Sequence, residues 1–379
     1  MAIPLEAQAE TQYVVPLRFK RAAFTYAGFE TPELDTRGYE MGTRPSGWGS
    51  SDARGPMLGI MNGQEVRVKI ERERLDEAAP VFVTSTNPAI VEITEPENGG
   101  PLPASGIFKC KALAGEGDHP VIQARLGSAE GPVLAELEPH TFSRLRIAIT
   151  PHNVRIDGAG GNGTRASLTR LADILRRVRK IWRPCGIDFT INATINDNIT
   201  LGSNITDTFD NASTWAGDIR QILGLQRTRL SLPAGTNDQS INMYMIDTFS
   251  NPGFVGYGIS RDTADSIGSD TGIVINCAGV NGNEVQEERT ARTVAHEIGH
   301  FLRLKHVEEK NAADAVEYTY GLWQLMYPKS WVPADARIKE FGNGTRARGH
   351  LITLKNHQHH STDGECDTAR RSIRDGNWT

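Results

Sequence analysis

The chain has 379 residues, of which 38% are hydrophobic and 23% charged. That is too long for one average domain and apolar enough for more than one core, so a globular protein of two or three domains is expected. A formal net charge of -5 argues against nucleic acid as the main partner, because phosphate binding needs a basic face. No apolar run approaches the roughly 18 residues of a membrane-spanning helix. The cysteines, Cys110, Cys185, Cys277 and Cys366, are too few and too widely spaced for a disulfide scaffold. They read as buried thiols. The opening MAIPLEAQAE lacks the basic and apolar regions of a secretory signal. The expectation is a chain that stays in the cell, leaves by a signal-independent bacterial secretion machine, or has lost its signal.

Residues 1–141 read as an all-β unit. Short alternating segments recur between turn signals at 13–19, 65–70, 81–84, 90–94, 106–113, 121–126 and 133–137, the spacing of a β-sandwich. Residues 26–55, rich in Gly, Ser and Arg, read as an irregular arm. Residues 85–124 (STNPAIVEITEP, then GIFKCKALAGEGDHPVIQA) faintly resemble bacterial Ig-like modules. A spacer or binding module is the expected role of this half.

Residues 142–379 change to alternating strands and helices, giving a multidomain α+β protein overall. Leu145, Ile147 and Ile149 alternate with polar residues as a strand. Residues 167–183 form a helix with Leu168, Leu171, Leu175, Val178 and Trp182 at a period of 3.6, stopped by Pro184 and Gly186. Its Arg170, Arg176, Arg177, Arg179, Lys180 and Arg183 read as a solvated outer face. Strands follow at 187–191, 241–246 and 272–277. Asn283 and Gln286 are placed to cap a helix over 284–304, and a last helix spans 366–374.

The stretch that carries chemistry is AHEIGHFLRLKH, residues 295–306. His296 and His300 are four apart on a helix, so both imidazoles can aim at one point. Two neutral imidazoles suit zinc at about 2.0–2.1 Å. Glu297 sits beside that point, placed to hold a water and take its proton. A third histidine, His306, lies six residues after the second.

These residues resemble the metzincin superfamily of zinc peptidases, whose motif is H-E-x-x-H-x-x-G-x-x-H followed by a Met-turn. His296, Glu297, His300 and His306 fall on the matching positions, and Leu325-Met326-Tyr327-Pro328 is similar to the matrixin form of the Met-turn. The resemblance covers residues 142–379. It implies one Zn2+ per chain held by His296, His300 and His306, with Glu297 as the general base and Met326 as the apolar floor beneath the metal. It also implies that the strand before the motif, with Gly272, Ile273, Val274 and Ile275, borders the cleft and takes the substrate as an added antiparallel strand. Residues 256–258 would form a flexible loop above it. Tyr327 is a wall residue.

One position breaks the pattern: Arg303 stands where the family has a helix-ending glycine. A helix running on would carry His306 about 9 Å further along the axis and away from the metal. The helix is therefore expected to end at 302–304 with an unusual backbone at Arg303, costing about 1–2 kcal/mol, which metal ligation offsets. Glu308, Glu309 or a later residue are the alternative third ligands. The tract His357, His359, His360 reads as an exposed loop on the pocket wall.

The reading is a zinc-dependent endopeptidase acting by zinc-activated water on proteins or cell-wall (peptidoglycan) peptides. It resembles toxins delivered by bacterial injection machines, for which a cognate inhibitor or immunity protein would be the partner. The rival is a non-catalytic binding protein with a closed, structural zinc site.

Overall fold

The computed structural model describes residues 17–21, 34–35, 57–72, 79–115, 120–158, 163, 165–168, 170–201, 212–229, 240–247, 256–259, 270–277, 284–304, 325–326 and 365–376. The chain is a mixed α+β protein with many strands and few helices. It divides into two compact units, one of residues 1–144 with 183–186 and 353–358, the other of 145–182, 187–352 and 359–379.

The first unit holds β1 (Leu17–Arg21), β2 (Leu34–Asp35), β3 (Met57–Met61), β4 (Glu65–Arg72), β5 (Val81–Ser85), β6 (Val91–Glu95), β7 (Gly100–Pro101), β8 (Ile107–Ala112), β9 (Ile122–Leu126) and β10 (Val133–Phe142). They make a four-stranded sheet, β1-β4-β8-β6, and a six-stranded sheet, β2-β3-β10-β9-β5-β7. The alternation seen in sequence sends Val66, Val68 and Ile70 of β4 and Phe108 and Cys110 of β8 inward. There they join Leu58, Val83, Ile122 and Leu137 of the other sheet in one core. Two strands differ from the expectation. β10 does not stop at Leu137 but runs through Pro139 to pair in parallel with β3, Pro139 opposite Leu58. β3 itself has no alternation, because it is a short apolar run (MLGIM), a pattern that periodicity cannot classify.

The second unit holds β11 (Leu145–Asp157), α1 (Leu171–Trp182), β12 (Ile187–Ile191), β13 (Ile195–Thr200), α2 (Ala212–Arg229), β14 (Ser240–Ile246), β15 (Gly256–Ile259), β16 (Gly272–Asn276), α3 (Glu284–Phe301) and α4 (Glu365–Arg374). The sheet order is β12-β11-β14-β16-β15, with β13 on the same flank of β11 as β12. All pairings are parallel except that of β15 with β16. Ile219, Ile222 and Leu223 of α2 pack on Val154, Ile156, Tyr244, Ile246 and Val274. The alternate residues Met243, Met245, Ile273 and Ile275 are buried as well, so both faces of the sheet are covered, as a parallel sheet requires.

A buried polar seam ties three of these strands. His152 of β11 has no exposed surface. Its Nδ1 lies 2.6 Å from Asp197 Oδ2 on β13 and its Nε2 3.1 Å from Asn242 Oδ1 on β14. Its ring stacks on Tyr244 at 4.5 Å between centroids.

The basic helix is not a purely solvated face. Arg176 and Arg179 do pair outward, with Asp173 and Asp188. Arg177, however, is buried, and with Arg170 it faces the buried Glu287 of α3, at 3.9 and 2.8 Å. A buried carboxylate requires such partners, so Arg177 of α1 and Arg170 just before it serve the packing against α3. The reading of four thiols is corrected in the same way. Cys110 and Cys277 are free and buried, whereas Cys185 and Cys366 are disulfide-bonded. The oxidation state of such widely spaced cysteines cannot be read from their spacing.

Candidate metal centre

Along α3, Val294, Ile298 and Leu302 form the buried stripe that seats the helix, leaving His296 and His300 half-buried. The helix ends at Phe301, and Arg303 takes φ 69°. The N–H of Arg303 donates to His300 O at 2.9 Å and the N–H of Leu304 to Gly299 O at 2.8 Å. These are the two bonds of a Schellman motif, with Arg303 in the left-handed position that glycine usually fills. The chain therefore leaves the helix axis immediately after the second histidine.

Both imidazoles are held by the same device. Nδ1–H of His296 donates to Leu325 O at 2.6 Å, and Nδ1–H of His300 donates to Leu304 O at 2.9 Å. Each bond fixes the tautomer with Nε2 unprotonated. The rings stand edge-on to one another, 4.8 Å between centroids. The acceptor for His300 exists only because the Schellman turn folds Leu304 O back toward the ring.

Glu297 is buried. Burial pushes its carboxyl up to about 8, against the opposing effect of the Gly258 N–H that donates to it. The group closing over it is β15. A Cβ at Gly258 would lie 2.1 Å from Glu297 O and 2.8 Å from His300 Cβ, so only glycine lets the strand lie flush on α3. On another side a Cβ at Gly299 would meet Met326 Sδ at 2.3 Å. The apolar, fully buried Met326 thus packs against the helix between the two histidines.

The expected cleft residues need correction. Gly272, Ile273, Val274 and Ile275 belong to β16, which is hydrogen-bonded on both edges, to β14 and to β15, and they are buried. An interior strand has no free backbone groups to offer an extended ligand. Residues 256–258, expected as a flexible loop, form β15 at the sheet's edge. His306, Tyr327, Asn283, Glu308, Glu309 and the tract His357, His359, His360 lie outside the described residues. Among the described residues no three His, Cys, Asp or Glu side chains are grouped to hold a metal ion, so the described candidate ligands are two, His296 and His300. Sequence reasoning read Gly258 as part of a loop and missed Gly299 and the carbonyls of Leu304 and Leu325. The small residue inside H-E-x-G-H was the one readable signal among them.

Two imidazoles four residues apart, each with its Nδ1–H committed to a main-chain carbonyl, on the helix that also carries the buried Glu297, fit a borderline-soft dication such as zinc. No protein-family model matches the chain, and no curated protein matches it. Among solved structures it is similar to mature mirolysin of Tannerella forsythia in complex with a cleaved peptide, at 13% identity and a TM-score of 0.30, over 45% of this chain and 67% of that one. It is similar to a promirolysin mutant of the same organism at 13% identity and a TM-score of 0.33, over 62% and 84%. It is also similar to domains 4 and 5 of the S-layer protein SbsC at 14% identity and a TM-score of 0.16, over 24% and 49%. At such TM-scores none of these likenesses carries weight for fold or activity, and the functional reading rests on the residues of the site.

Proposed function

We propose that the protein is a zinc-dependent endopeptidase. The observation that carries the reading is the paired commitment of both histidine Nδ1–H groups to main-chain carbonyls. It holds both rings with Nε2 unprotonated, one turn apart on the helix that carries the buried Glu297. His306 is proposed as the third ligand, since the turn at Arg303 brings the chain off the helix axis. The bound metal would supply Lewis acidity toward a carbonyl oxygen and toward water.

Glu297 takes the proton from the attacking water and delivers it to the leaving amine. Its burial keeps bulk water away from the proton in transit. The substrate is proposed to be a peptide lying extended along β15, because among the described strands of this sheet β15 is at an edge and lies against Glu297. Main-chain pairing of that kind reads backbone more than side chains, in keeping with an endopeptidase acting on proteins or cell-wall peptides. The oxidised Cys185 and Cys366 favour work in an oxidising compartment, in keeping with an exported enzyme.

The test is zinc content together with cleavage of an unfolded protein, with and without a chelator. Stoichiometric zinc with chelator-sensitive hydrolysis is expected. Tight zinc with no hydrolysis of any unfolded protein would favour the structural-site alternative.

A further inference from the structure

Gly256 and Gly258 both face α3, and they meet it differently. A Cβ at 258 would run into the main-chain oxygen of Glu297, which cannot give way. A Cβ at 256 would meet the Glu297 side chain instead, at 3.0 Å from Cγ and 3.2 Å from Oε1, with Val274 O at 3.1 Å. Neither glycine has a left-handed φ, so what each supplies is space. The carboxylate of Glu297 is thus held between the Gly258 N–H that donates to it and the bare Cα of Gly256.

We propose that Gly256 is a positioning residue for Glu297: the missing side chain at this edge-strand position sets how far the carboxylate can withdraw from the metal-binding imidazoles. The role rests on the peptidase reading and sharpens it. The imidazoles take their orientation from Leu325 O and Leu304 O, neither of which is among the three atoms nearest to a Cβ at 256. A methyl at 256 therefore displaces the base by a few tenths of an ångström and leaves the ligands alone. Such small displacements of a reacting group weigh on turnover, since a misplacement of about 1 Å can cost about a hundredfold.

The experiment is a double-mutant cycle with Gly256→Ala and Glu297→Ala, read in two ways on the full chain. The first reading is the Tm of the metal-free protein, which needs no activity. With Glu297 present, Gly256→Ala is expected to lower Tm by about 2–4 °C. In the Glu297→Ala background, where Cγ is gone, most of that loss should vanish. Equal losses in both backgrounds would assign the effect to Val274 O and overturn the proposal. The second reading is steady-state kinetics on an unfolded protein, with zinc content measured alongside. Gly256→Ala is expected to keep zinc stoichiometric and KM within about twofold while kcat falls about tenfold or more. An unchanged kcat would also overturn the proposal. A native chain that hydrolyses nothing, yet shows the Tm coupling, would uphold the contact and remove the peptidase reading, so the two failures are distinguishable.

Discussion

The ring of His296 donates its Nδ1–H to the main-chain oxygen of Leu325, 2.6 Å away and 29 residues further along the chain. The helix that carries the motif and the turn that carries Met326 are thereby one device. The carbonyl next to Met326 fixes the tautomer of the first imidazole, and Gly299 admits the Met326 sulfur against the helix. Neither piece orients the site without the other.

Metal stoichiometry is the first consequence to measure. The native protein is expected to carry about one zinc per chain, and His296→Ala to lose it under mild dialysis. Full occupancy in that variant would show that the metal is held elsewhere.

Glu297→Gln keeps the shape and the hydrogen bond from Gly258 but cannot accept a proton. Zinc should stay bound while kcat falls about 10²–10⁴-fold. Near-native turnover would move the base to another residue.

Arg303→Gly relieves a left-handed backbone in a side chain that disfavours it. The gain should be about 1–2 kcal/mol, seen as a rise in Tm with activity intact. A β-branched residue such as valine at this position should do the reverse. A glycine variant that loses stability would mean that the arginine side chain contributes more than its backbone costs.

Asp218 of α2 is buried, and its Oδ2 has no hydrogen-bond partner among the described residues. Burial pushes its carboxyl above the ordinary 3.8. The folded state then holds the proton more tightly than the unfolded one, so this group costs stability increasingly as pH rises above that value. Asp218→Asn should therefore raise Tm at neutral pH and bring progressively less benefit toward pH 4. Thermal melts across that range read the difference directly.

Glu287 and Arg177 are both buried. Glu287→Gln leaves a buried guanidinium short of its counter-charge and should cost about 3–5 kcal/mol. The joint change Glu287→Leu with Arg177→Met should recover most of it. Equal destabilisation by the single and double changes would show that the pair does not act as a unit.

What could be read from sequence was what is local. The spacing of His296 and His300, the apolar stripe Val294-Ile298-Leu302 and the alternation in β4, β5 and β8 each follow from a backbone period. α2 was missed because Gly217 and Gly224 weaken its propensity, although Ile219, Ile222, Leu223 and Gln226 recur at helical spacing. β16 was misassigned to the cleft even though its unbroken apolar run already marks a strand buried on both sides. β15 carried almost no signal, since Gly256 and Gly258 are in the strand for the closeness of α3 and not for strand propensity. The partners of Arg177, Cys185 and Cys366 are set by tertiary packing and leave no trace in spacing.

The turn at Arg303 bears on how such sites drift. Glycine and arginine codons differ by a single base, so the exchange is among the most accessible mutational steps for a helix-ending glycine. The two main-chain bonds from Arg303 and Leu304 hold the turn without regard to which side chain sits there. The cost of arginine over glycine in such a turn, about 1–2 kcal/mol, is comparable to deleting one buried methyl group, small enough for the geometry to persist while the written motif changes. The constraint on this position is a dihedral angle, and residues differ only in what they lose by adopting it.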